Sequence, residues 1–176
     1  MFFSLLLSQF HHEEELMITP NLLDAIRIVK ENERIASESY DAAIQEINNP
    51  SGKHLFKELS DFEKFHYEIL TTLVKALEEE DEFINYEGRE FPLPPIFEIK
   101  AAEEPNKKSV ITIISQAIEL EKQAEKAYSD LANQITDPRG HKMFNRLSEE
   151  EYKHYLILIE AYWTVTNLGV WKWVRQ

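Results

Sequence analysis

Apolar residues recur at helical spacing in four long stretches of the chain, near residues 21–46, 52–78, 109–135 and 139–165. Each stretch predicts an amphipathic helix with one face turned to a shared core. "NNPSG" (48–52) and "TDPRG" (136–140) interrupt the pattern with helix breakers and predict short turns inside two helical hairpins, 21–78 and 109–165. Residues 79–108 between the hairpins are acidic, contain proline and hold no sustained period. Helix–helix loops in bundles usually run about 2–8 residues, so a connection this long predicts a crossover rather than a turn. At roughly 3.3 Å per extended residue it outreaches a helix of about 40 Å and can run back along the bundle. The expected fold class is all-α, a four-helix bundle of two hairpins joined by one long crossover.

The hairpins are also repeats of one another. "LSDFEKFH" (59–66) returns as "LSEEEYKH" (147–154), both reading Leu-Ser-x-x-Glu-x-x-His. A shift of 88 residues superposes Pro50 on Pro138, Gly52 on Gly140, Phe56 on Phe144, Glu63 on Glu151 and His66 on His154. Ten of 21 positions are identical between 50–70 and 138–158, without a gap. Upstream, the same shift pairs Glu31 with Glu119, Glu33 with Glu121, Ala36 with Ala124 and Tyr40 with Tyr128. The repeat implies a pseudo-twofold bundle whose halves face each other.

Residues at i and i+3 project from nearly the same helix face, so Glu63 with His66, and Glu151 with His154, aim at one point. One Glu-x-x-His in an acidic chain is weak evidence; its return with the same lead-in and the same upstream Glu is not. Residues equidistant from a hairpin turn lie side by side. The midpoint of Glu33 and His66 falls within "NNPSG", and that of Glu121 and His154 within "TDPRG". Four carboxylates and two imidazoles are thereby expected at one level of the bundle. Unpaired and buried, such charges cost several kcal/mol each. Two divalent cations would neutralise them, with Glu33, Glu63, His66, Glu121, Glu151 and His154 as the candidate metal ligands. Oxygen-rich ligation with imidazole suits iron or manganese, and zinc can occupy the same kind of site. Tyr40 and Tyr128 lie two turns beyond Glu33 and Glu121 on the same face. They are read either as hydrogen-bond donors to the ligands or as core aromatics. Glu31 and Glu119 face elsewhere and read as surface partners, while Phe56, Phe62, Phe144, Leu59 and Leu147 read as core.

The 176 residues carry a net charge of −13, which argues against a nucleic-acid or anionic-membrane partner. No cysteine is present, which excludes disulfides, zinc fingers, iron–sulfur clusters and a thiol nucleophile. The N-terminal arm, residues 1–20, opens on "MFFSLLLSQF", about ten residues long and too short to span a bilayer. It lacks the basic start and cleavage site of a signal peptide, so the expected location is cytoplasmic. "HHEEE" (11–15) reads as a solvated run, and the tail 166–176 as a cap on the bundle or a subunit contact.

"ENERIASESY" with "EKFH", and "ELEKQAEKAY" with "EYKH", resemble the paired metal motifs of the rubrerythrins, within the ferritin-like superfamily. The resemblance covers roughly residues 21–165. It implies a di-iron centre held by the same six residues, with Glu63 and Glu151 bridging and Glu33 and Glu121 as terminal or shifting carboxylates, and a homodimer. It implies reduction of peroxide or activation of dioxygen, the alternative being a non-catalytic iron-handling protein of ferritin type. Two departures stand out. Rubrerythrins typically carry a cysteine-bound rubredoxin iron, so electrons would here come from a separate donor protein such as a rubredoxin. They also typically place a further Glu one turn after the third-helix ligand, where this chain has Ala124.

Overall fold

The computed structural model describes residues 20–91 and 104–171, which form α1 (Pro20–Glu46), α2 (Pro50–Glu80), α3 (Lys107–Gln134) and α4 (Pro138–Leu168). The second helix of each hairpin starts earlier than apolar periodicity alone predicts, for a local reason. Asn49 caps α2 by accepting from the Ser51 N–H, and Asp137 caps α4 by accepting from the Arg139 and Gly140 N–H groups. Pro50 and Pro138 then occupy the first helical turn, where their missing N–H costs nothing. Both helices stop at a left-handed residue, Asp81 (φ 52°) and Gly169 (φ 71°).

All three features of these helices are related by the 88-residue shift, and the packing beyond them follows it too. Phe83, just past α2, lies over Gly140 at the start of α4; Trp171, just past α4, lies over Gly52 at the start of α2. A Cβ on Gly52 would come within 2.5 Å of the Trp171 ring and 2.8 Å of Ile47. On Gly140 it would meet Phe83 and Ile135 at 2.7 Å. Each half thus seals the other half's turn with an aromatic residue. Trp171 caps the bundle in the manner expected of the tail, and its indole N–H donates to the buried Glu104 carboxylate at 3.3 Å.

Within each hairpin the helices pack along their length, α1 on α2 and α3 on α4, and the halves meet through α1 and α3. The Leu-Ser lead-in is part of that packing. Leu59 and Leu147 are fully buried, and Ser148 donates to the Glu125 carbonyl of α3 at 3.2 Å. Ser60 donates to Asp41 of α1 at 2.7 Å. The apolar core divides into two clusters. One gathers Ile26, Leu70, Leu73, Tyr128 and Phe144; the other gathers Tyr40, Ile47, Leu55, Phe56, Ile114 and Leu158. Between them lies a band of buried carboxylates. Fully burying one large apolar side chain stabilises by about 1.5–3 kcal/mol, so both clusters together can carry a polar band that costs free energy.

The described part of the crossover bridges α2 and α4. Phe91 packs against Phe62 of α2 at 5.0 Å and against His154 of α4 at 5.1 Å. The Arg89 guanidinium lies 4.5 Å from the Phe62 ring centre and 5.3 Å from that of Phe65. The N-terminal run "HHEEE" and most of the expected arm lie outside the described residues, as do residues 92–103 and 172–176. No helix among the described residues is long and apolar enough to cross a membrane.

Candidate metal centre

All six residues expected to share one level of the bundle are brought together there, each at most 2% exposed. They fall into two overlapping groups, Glu33–Glu63–His66–Glu151 and Glu63–Glu121–Glu151–His154, whose ligand atoms lie within 4.8 Å of one another. Glu63 and Glu151 belong to both groups. The imidazoles stack 6.1 Å apart and turn Nδ1 inward. His66 Nδ1 is 2.8 Å from Glu151 and 3.2 Å from Glu63. His154 Nδ1 lies 3.2 Å from Glu151, 3.4 Å from Glu63 and 3.5 Å from Glu121.

Electrostatics divides the carboxylates into two kinds. Burial, followed by the nearby Glu151 and Glu63 charges, pushes Glu33 well above the usual carboxylate range. Burial and then the Glu63 charge do the same to Glu121. Burial and then the Glu151 charge oppose ionisation of Glu63, and hydrogen bonds from His154 and His66 bring it below the usual range. Burial opposes ionisation of Glu151 too, and the His66 charge, followed by hydrogen bonds from both imidazoles, brings it below that range. Burial pulls His66 and His154 down, and the surrounding carboxylates outweigh it, so both are raised well above an ordinary imidazole. Glu63 Oε1 and Glu151 Oε1 are buried and accept no well-aligned hydrogen bond among the described residues, although His154 Nδ1 lies 3.4 Å from the first and His66 Nδ1 2.8 Å from the second. Buried oxygens left in that state point to a missing cation, and the donor set of four carboxylates and two imidazoles fits two divalent metals.

The tyrosines belong to the two core clusters and also make a crosswise pair of hydrogen bonds. The Tyr40 hydroxyl on α1 donates to Glu121 on α3 at 2.5 Å. The Tyr128 hydroxyl on α3 donates to Glu33 on α1. Each half therefore orients a carboxylate of the other half, Glu121 or Glu33. Glu31 and Glu119 are exposed, paired with Arg34 and Lys122 as surface residues.

Sequence reasoning missed Glu150. It is 1% exposed and accepts from His66 Nε2 at 3.0 Å, the Tyr86 hydroxyl at 2.5 Å and the Arg89 N–H at 2.7 Å. Arg146 Nε lies 3.0 Å away. Burial opposes its charge, yet the His66 and Tyr86 hydrogen bonds hold it below the usual carboxylate range. The 88-residue shift places Phe62 opposite it, so the repeat carried no signal for this position.

A cavity of about 130 Å³ opens between α1 and α3 onto Glu33, Glu63, Glu121 and Glu151. Ala36, Ala124 and Ala127 line its wall. The place where a typical rubrerythrin's additional Glu would stand is thus part of an open approach to the carboxylates.

A crossover four-helix bundle with paired Glu-x-x-His and two further inward carboxylates defines a ferritin-like carboxylate protein. A family model for rubrerythrin matches residues 8–74 and 72–162, and the chain belongs to the rubrerythrin family. No curated protein matches it. Among solved structures, a hypothetical protein from Pyrococcus furiosus is similar at TM-score 0.66 and 21% identity, over 84% of this chain and 91% of that one. A two-domain protein from Anabaena variabilis, containing DJ-1/ThiJ/PfpI-like and ferritin-like domains, is similar at TM-score 0.62 and 18% identity. That match covers 88% of this chain and 40% of the Anabaena protein. Both likenesses concern the fold.

Proposed function

We propose that the protein is a di-iron, or di-manganese, oxidoreductase that reduces peroxide or activates dioxygen. The observation that carries the reading is the cavity between α1 and α3, which gives a small molecule a path to the four carboxylates. At about 30 Å³ of liquid volume per water, it suits a reactant of a few heavy atoms. Glu33, Glu63, His66 and Glu151 would hold one metal, and Glu63, Glu121, Glu151 and His154 the other. Such a pair supplies electrons and Lewis acidity when bound. The chain's own residues orient and insulate it. Tyr128 and Tyr40 hold the terminal carboxylates by O–H donation, and Phe62 and Phe91 wall off the His154 side from water. Electrons would come from a separate donor such as a rubredoxin. A homodimer in the cytoplasm belongs to the same proposal; exposed Ile28 and Ile35 on α1 offer apolar contact surface. The test is hydrogen peroxide consumption by the anaerobically iron-loaded chain with an added electron donor. Repeated turnover is expected. Consumption that stops after one oxidation of the bound iron, with iron uptake far beyond two per chain, would favour the iron-handling role instead.

A further inference from the structure

We propose that Glu150 is a positioning residue that makes the two metal positions unequal, so that the Glu33–Glu63–His66–Glu151 position fills first and binds more tightly. The inference rests on the di-metal reading above. The two histidines share a sequence motif but not their surroundings. A carboxylate only accepts, so His66 donates from Nε2 to Glu150, 3.0 Å away, and Nδ1 is the nitrogen that would give up its proton and offer its lone pair to a metal. Glu150 is itself fixed by the Tyr86 hydroxyl, the Arg89 N–H and the nearby Arg146 guanidinium.

The outer nitrogen of His154 has no hydrogen-bond partner among the described residues. The Phe62 and Phe91 rings stand there instead, 5.0 Å and 5.1 Å from the imidazole. The crossover builds this difference. Gly88 holds a left-handed φ of 86°, and a Cβ there would fall 1.9 Å from Arg146 Nε and 2.5 Å from Glu150 Oε1. Only a glycine lets the backbone approach closely enough for the next N–H to reach Glu150. An acceptor on the far ring nitrogen fixes the imidazole and raises its basicity, and its loss typically costs about 10–100-fold in metal affinity.

The experiment is an anaerobic titration of the metal-free full chain with cobalt(II), read by its visible spectrum and by calorimetry. Two steps about 10–100-fold apart are expected. In a His154→Ala background the tight step should remain, and adding Glu150→Gln should weaken it about tenfold or more. In a His66→Ala background, Glu150→Gln should leave the remaining step unchanged. A merely structural role for Glu150 would lower both alike. If circular dichroism shows Glu150→Gln unfolded, Tyr86→Phe tests the same network and should weaken only the His66 step. Two equal steps in the wild type, or equal losses in both backgrounds, would overturn this inference alone. No cobalt binding at all would overturn the di-metal reading and this inference with it.

Discussion

Loading the site with metal should expel protons, and the surroundings of each ligand say which groups release them. In the metal-free bundle, burial and the neighbouring carboxylates keep Glu33 and Glu121 protonated well above the usual range. The same carboxylates keep His66 and His154 protonated well above an ordinary imidazole. A metal ligand must give up its proton, so filling both positions releases protons from these groups, four at most. At about 1.36 kcal/mol per proton per pH unit, the summed binding free energy should strengthen with rising pH, by about 5 kcal/mol per unit where all four protons are still held. The metal-free fold responds in the opposite sense. All four groups have folded values above their unfolded ones, so their contribution is complete below roughly pH 4.3 for the Glu pair and roughly 6.5 for the His pair. It is lost as pH rises through the folded values. The assay is calorimetric titration with manganese(II) or cobalt(II) in buffers of different ionisation enthalpy, with metal-free melting temperature followed against pH. Release of one proton or none, or a metal-free fold that gains stability from pH 6 to 9, would refute the reasoning.

Other outcomes follow from the same arrangement. Chelation of metal at neutral pH should lower the melting temperature by roughly 8–16 °C, since a ligand at 1,000 times its Kd stabilises by about 4 kcal/mol. Glu63→Ala removes a residue common to both groups, so metal content should fall below one per chain; retention of two would show that the ligands are assigned wrongly. Gly140→Ala should cost about 1–3 kcal/mol of overpacking against Phe83 and Ile135, read by urea denaturation, despite the better helix propensity of alanine. Ala124→Leu should block the cavity between α1 and α3 and slow oxidation of loaded iron by peroxide, with metal stoichiometry unchanged.

Much of this architecture was legible because two independent patterns coincide. Breakers at "NNPSG" and "TDPRG" fix where the hairpins turn, and the 88-residue repeat fixes which residues share a level. Together they bring the six ligand candidates to one band with no reference to coordinates. The tyrosines could not be decided the same way. Helical spacing puts Tyr40 and Tyr128 on the right faces, but their partners lie across the α1–α3 interface, whose closeness only tertiary packing sets. Glu150 was hidden for two reasons. It sits inside the run Glu149-Glu150-Glu151, and what fixes it comes largely from a crossover without periodicity. The seals made by Phe83 and Trp171 do obey the 88-residue shift. They differ in residue type, so identity counting passes over them. The repeat is therefore a repeat of geometry further than it is one of letters, and one of its breaches, Glu150 against Phe62, falls at the metal centre.

The central claim is that one chain holds two metals in the shared-carboxylate groups. Its most direct measurement is metal content per chain, by mass spectrometry of elements, after anaerobic loading with iron(II) and removal of loose metal. Two per chain, falling to below one in Glu63→Ala, is the result expected. Substoichiometric metal in the wild type, or two per chain undisturbed by Glu63→Ala, would contradict it.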